Sequence, residues 1–202
     1  MKSIILIGNG GHCKSCIDVL ENSSEFQIKG LITNHSNNAE TFMNYRILGN
    51  DENISDCFES NDYGLVAVGQ IKSPEKRITL FNLLRNNNIL IATVKSKYSL
   101  VSKSALLGIG TIIMHNSIIN GGAQVGMNCI LNTNALVEHD VKIGDHCHIS
   151  TGAIINGGVT IGNETFIGSG CIIREGVKIG DNVLVSAGKI VMNNLDSNTV
   201  FR

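Results

Sequence analysis

The chain has 202 residues, a net charge of −1, 22 glycines, one proline and no tryptophan. Near-neutral charge without a basic run argues against nucleic acid as the main partner, and few aromatics among many β-branched residues argue against a sandwich. No apolar run is long enough to cross a membrane and no signal-peptide pattern opens the chain, so a cytoplasmic protein with six free thiols is expected.

Residues 3–7 (Ser-Ile-Ile-Leu-Ile) read as a buried strand. Gly8-Asn9-Gly10-Gly11-His12 makes a tight turn, and Cys13–Glu21 a helix carrying Ile17, Val19 and Leu20. Gln27–Thr33 is a second strand, and Leu65–Val68 a third, ending at Gly69. Pro74 opens a helix through Arg85, and Ile89–Val94 is a further strand. Strands alternating with helices predict a small parallel α/β domain, Rossmann-like, over residues 1–97. Its glycine turn is a phosphate-binding candidate, because backbone N–H groups and the positive end of a helix would face an anion. The dinucleotide fingerprint is incomplete. Cys13 holds the third glycine position, and the second strand ends Thr33-Asn34 without the expected acid. A nucleotide diphosphate therefore fits the turn better than NAD, and a turn with only a packing role is the alternative. Cys13 and Cys16 share one helical turn and read as core rather than as a redox or zinc motif.

From Val101 to Val191 every sixth residue is Val, Ile or Leu, with no slip across fifteen intervals. Such a period predicts a parallel β-helix over residues 98–202. Strand alternation points position i and the small or β-branched residue at i−2 inward, and i−1 outward. Three hexads make one coil, giving about five coils, and Phe201 is placed to cap the last. Glycine or asparagine directly after the aliphatic (Gly126, Gly144, Gly162, Gly168, Gly180, Asn132, Asn156) is expected to take the unusual backbone angles of the corner. Cys129 and Cys147 stack on one inward rail as small core residues. His139 lies two residues past inward Val137, at a corner, where its ring can leave the core. His148 stands between inward Cys147 and Ile149 and so points out of a flat face. His35, His115 and His146 read as surface residues.

The opening Ile-Ile-Leu-Ile-Gly-Asn-Gly-Gly-His, the run Leu131-Asn132-Thr133-Asn134-Ala135-Leu136-Val137-Glu138-His139-Asp140, and Ile143-Gly144-Asp145-His146-Cys147-His148-Ile149-Ser150 resemble the bacterial acyltransferases of the PglD/NeuD type. The resemblance covers almost the whole chain. It implies a left-handed helix, a homotrimer with sites between neighbouring prisms, acetyl-CoA as co-substrate and no metal. It also implies a nucleotide-linked amino sugar, UDP- or dTDP-4-amino-4,6-dideoxy, acetylated on nitrogen for surface glycan biosynthesis. Sialic acid O-acetylation is the runner-up, and a non-catalytic nucleotide-sugar-binding partner is a third reading. By the same resemblance His139 is the general base, hydrogen-bonded by Asp140, and His148 meets acetyl-CoA near the thioester. Gly157, Ser169 and Ala187 line the cofactor channel. Gly10, Gly11 and His12 hold the phosphates, Gly69 lies against the nucleotide, and Thr33 and Asn34 fall where some members carry acids that touch the base.

Overall fold

The structure is a computed structural model that describes residues 1–34 and 40–202. His35 lies outside the described residues. The α/β domain is built on β1 (Lys2–Ile7), α1 (Gly11–Glu21), β2 (Phe26–Ile32), β3 (Thr41–Phe42), β4 (Tyr45–Gly49), a 3-10 segment at Asp51–Cys57, β5 (Tyr63–Val66), α2 (Glu75–Asn86) and β6 (Leu90–Ile91). Sheet order is β3-β4-β2-β1-β5-β6, parallel except for the β3–β4 pair. Apolar runs such as Ile4–Ile7 are buried on both faces, as a parallel sheet covered by helices requires. The β3–β4 hairpin was not anticipated. Its turn residues Met43 and Asn44 both have positive φ, 47° and 67°, the signature of the two-residue turn that suits hairpin twist.

The prism is a left-handed parallel β-helix with three faces of two-residue strands. A docked face stacks seven strands, from β7 (Val94–Lys95) through His148–Ile149 to Val200–Phe201. An aliphatic face stacks six, from Leu100–Val101 to Ile190–Val191, and a polar face five, from Leu106–Leu107 to Lys178–Ile179. β7 already belongs to the prism, so its first strand precedes the boundary expected at residue 97. Inward residues such as Val137, Ile149, Ile155 and Ile167 are fully buried, and each contributes about 1.5–3 kcal/mol. The small rail behaves as expected, with Cys129, Cys147, Ala135 and Ala153 buried beside them. Phe201 is half-buried against the last coil.

The corners depart from expectation. From Gly110 to Gly188 every sixth residue has positive φ, and it stands three places after the aliphatic, not one. The left-handed step is thus carried by residues such as Asn134, Asp140, His146 and Gly158. The glycine next to the aliphatic serves a different purpose. At Gly108, Gly126, Gly144 and Gly162 an added Cβ would meet the next coil's glycine carbonyl carbon at 2.4 to 2.9 Å. One corner of the prism is therefore stacked too closely for any side chain. A ladder of acceptors runs beside it: Met127 N donates to Asp145 Oδ1 (2.7 Å), Asp145 N to Asn163 Oδ1 (2.8 Å) and Asn163 N to Asp181 Oδ1 (2.6 Å).

The outer side of the docked face is the floor of the α/β domain. Outward Ile112 and Ile130 share one buried cluster with Leu6, Cys13, Cys16 and Ile17. That cluster leaves both C-x-x-C thiols without exposure, and burial pushes the Cys13 thiol up to about 12 and the Cys16 thiol higher still. Neither can supply the thiolate that redox chemistry needs. His146 and His115 are half-buried rather than superficial. His146 sits edge-on to Phe81 with ring centroids 5.6 Å apart, and His115 Nδ1 pairs with Ser96 Oγ at 2.6 Å. Arg77 bolts the two parts together. Its Nε donates to Asn128 O (3.1 Å), and its Nη1 to Val66 O (2.7 Å) and Val68 O (2.8 Å). Replacing Arg77 with Met should remove the donor from two buried carbonyls and one half-buried one and cost about 3 kcal/mol. Chemical denaturation would read this as a lower midpoint at unchanged slope.

Candidate active site

A cavity of about 800 Å³ opens where the α/β domain meets the prism. Gly10, Gly11 and His12 line it from the start of α1, Thr33, Asn34 and Asp51 from beyond β2 and β4, and Gly69 and Gln70 from the loop after β5. Asn132, Thr133, His148 and Thr151 line it from the prism. All six residues expected to hold the nucleotide sugar therefore border one cavity. The turn is glycine-rich for two reasons. Gly8 has φ +115°, and a Cβ there would meet Val68 Cγ2 at 2.7 Å. Gly10 and Gly11 have nothing within 4 Å of a built Cβ, so their backbone is open for a ligand to approach closely. No side chain caps α1, which leaves its first N–H groups available to an anion. Gly69 packs against His12, with 3.3 Å between its built Cβ and that of the histidine. Thr33 Oγ1 donates to Asn9 Oδ1 at 2.9 Å.

Two histidines wall the cavity, and both are neutral. Burial, the nearby Arg77 charge and His148 push His12 down to about 3, and its Nε2 is buried without a hydrogen-bond partner. Burial pushes His148 down to about 4, the Gln70 carbonyl opposing it and Arg77 adding to it. His148 points out of the prism as its register requires, but it does not stand free. It is 6% exposed, because the loop after β5 covers it. Its Nδ1–H donates to Gln70 O at 2.6 Å, and its Nε2 accepts from Asn132 Nδ2 at 3.1 Å. The carbonyl can only accept, and that settles the tautomer.

His139 lies elsewhere. It occupies the corner between the aliphatic and polar faces, opposite the docked face that carries His148. It is 68% exposed, and its Nδ1–H donates to Asp140 Oδ2 at 3.0 Å. The short aspartate reaches because its backbone is left-handed, φ 60°, which turns the carboxylate back to the preceding ring. His139 Nε2 is left as the basic nitrogen. It sits over Gly157, where a Cβ would come within 2.8 Å of both Cε1 and Nε2. Gly157 thus clears room for the imidazole. Ser169 and Ala187 lie on another corner, each eighteen residues beyond the last in the series Thr133, Thr151, Ser169, Ala187 that climbs from the cavity. Within one chain the expected cofactor residues are consequently split between two corners. Sequence reasoning missed Asp51, Lys76, Gln70 and Asn132 as cavity residues.

Residues 3–82 match the PglD N-terminal domain, and residues 158–193 the bacterial transferase hexapeptide (six repeats). No curated protein matches the chain. Among solved structures, PerB from Caulobacter crescentus in complex with CoA and GDP-perosamine is 27% identical with a TM-score of 0.89, over 98% of this chain and 92% of that one. The acetyltransferase domain of PglB from Neisseria gonorrhoeae FA1090 superposes with a TM-score of 0.89 at 22% identity, over 96% of this chain and 93% of that one. WeeI from Acinetobacter baumannii AYE does so at 0.84 and 19%, over 98% and 95%. An α/β domain welded to an uninterrupted hexad prism, with these neighbours, defines a hexapeptide-repeat acyltransferase. Within that class, its first domain is similar to the N-terminal domain of the PglD type, over residues 3–82.

Gly157→Ala leaves the backbone unstrained but pushes the His139 ring aside. It should lower kcat at least tenfold with little change in melting temperature, read by steady-state kinetics and thermal unfolding. The neutral histidines set a second expectation. Between pH 6.5 and 4 the unfolded chain binds protons that buried His148 refuses, so stability is full above this window and falls as pH drops through it, by roughly 3 kcal/mol for His148. Urea unfolding at pH 7 and pH 4 measures the loss, and His148→Gln should shrink it.

Proposed function

We propose that this protein transfers an acetyl group from acetyl-CoA to the amino group of a nucleotide-linked 4-amino-4,6-dideoxy sugar. The observation that carries the reading is the His139–Asp140 pair, whose basic Nε2 is cleared by Gly157. The cavity at the start of α1 takes the diphosphate: Gly10 and Gly11 offer open backbone, His12 the side wall, Lys76 a nearby cation, and Gly69 packs the nucleotide. The corner series Thr133, Thr151, Ser169, Ala187 carries acetyl-CoA past His148 to the cavity. His139 Nε2 takes the proton as the sugar nitrogen attacks the thioester carbon. A backbone N–H holds the developing oxyanion, and the C–S bond breaks to release CoA.

His139 and the cavity lie on different sides of one prism, so the site needs a second chain. The outward residues of the aliphatic face are apolar at every level: Leu100, Ile118, Leu136, Ile154, Ile172 and Ile190. Leu100 is 64% and Ile190 58% exposed, a stripe that soluble monomers seldom leave to water. Three copies turning this face to a common axis bury it. The same packing brings the His139 corner of the partner subunit beside the corner that holds Thr133 and Thr151. Closed threefold symmetry makes three such sites. PerB, solved with CoA and GDP-perosamine, supports the amino-sugar reading.

His139→Ala should cut CoA release with an amino-sugar substrate by about 10²–10⁴-fold, and unchanged turnover would sink the assignment. Co-assembling that variant with chains whose cavity is blocked by Gly11→Glu should restore part of the activity, because mixed trimers contain some intact sites. Sedimentation should show trimers for both.

A further inference from the structure

Among the described residues one carboxylate lines the cavity, and it belongs to neither the glycine turn nor α1. Asp51 borders the cavity beside Thr33 and Asn34 at the C-terminal end of β2. It arrives from a separate segment, as the first residue of the 3-10 turn that follows β4. Asn50 caps that turn, accepting from Glu52 N (3.0 Å) and Asn53 N (3.3 Å), while Asn50 N donates to Asn53 Oδ1 (2.9 Å). Asn34 completes the fixture: Asp51 N donates to Asn34 Oδ1 (2.9 Å), and Asn34 Nδ2 donates to Asp51 Oδ2 (2.7 Å). Asp51 is held by two bonds to Asn34, two residues past β2, one of them to its carboxylate, and it borders the cavity.

A carboxylate only accepts, so it cannot serve the diphosphate and must meet donors on the ligand. In doubly wound nucleotide-binding domains the first helix start takes the phosphates, and an acid at the end of the second strand takes the ribose 2′-hydroxyl. Here Thr33-Asn34 follow the second strand, and Asp51 delivers a carboxylate to the same place by another route. We propose that Asp51, oriented by Asn34, reads the ribose 2′-hydroxyl and makes the protein select a ribonucleotide carrier over a 2′-deoxyribonucleotide one. The inference rests on the nucleotide-sugar reading of the cavity. It narrows that reading to ribonucleoside diphosphate sugars and removes dTDP-linked ones.

The test compares ligands that differ in one oxygen, UDP with dUDP and GDP with dGDP, by titration calorimetry on the full chain. A hydrogen bond to a charged acceptor predicts that the ribo form of whichever base binds is favoured about 10- to 100-fold. Asp51→Ala should shrink that ratio to within about threefold, and Asn34→Ala should shrink it partway, since Asn34 acts only by holding the carboxylate. The wild-type comparison stands even if a variant folds poorly. Equal binding of ribo and deoxy forms by the wild type, or an unchanged ratio in Asp51→Ala, would overturn the inference and leave the nucleotide site intact. If no nucleoside diphosphate binds, the nucleotide reading fails and this inference with it.

Discussion

Parallel stacking of two-residue strands leaves the prism no freedom of register. A slip of one residue would send every inward aliphatic to solvent. Because Val137 and Ile149 must point in, the places of His139 at a corner and His148 on a face follow. The corners are as strict. Coils close by a left-handed residue every sixth position, and one corner packs glycine on glycine. Asp140 occupies such a left-handed position, and the geometry that closes the coil also folds its carboxylate against His139.

The prism was legible because its signal is periodic and local. The inward rails and the outward direction of His148 could be read from spacing alone. The corner was misread by two residues, since abundant glycine suggests unusual angles although here it reflects close stacking. Asn, Asp and His tolerate the left-handed region well enough to hide the true position. The α/β domain was legible in its apolar strands. The β3–β4 hairpin was not, because Met43-Asn44 lacks the Asn-Gly or Asp-Gly that announces its turn. The burial of His148 was invisible too, because its cover, Gln70, is 78 residues away in sequence. Asp51 was missed for the same reason: the expected acid was sought at the end of β2, and it came from the far side of a hairpin.

Arg77 links the fold's stability to the cavity's electrostatics. Its partners are backbone carbonyls, not a carboxylate, so its charge is solvated by dipoles and not cancelled. Burial pulls the guanidinium down to about 10, still charged at neutral pH. That charge helps keep His12 and His148 neutral. Together with the uncapped start of α1 and Lys76 it makes the cavity favourable for a diphosphate. A carboxylate partner for Arg77 would have strengthened the bolt and weakened the cavity's pull on anions.

The neutrality of His148 also separates the roles of the two prism histidines. A ring whose nitrogens are committed to Gln70 and Asn132 cannot take a proton at neutral pH, whatever its distance from a substrate. The proposed reaction therefore assigns the proton to His139, which has a carboxylate behind its ring and a nitrogen outside that bond. But His139 is on the corner opposite the docked face, and no side-chain rotation carries it through a packed core to the cavity. In the proposed reaction, a chain with His139 on one side and the cavity on the other is therefore half an active site twice over. In the proposed threefold assembly the apolar face between the two corners lets copies of the chain complete one another, and assembly then belongs to the chemistry as much as to the stability of the prism.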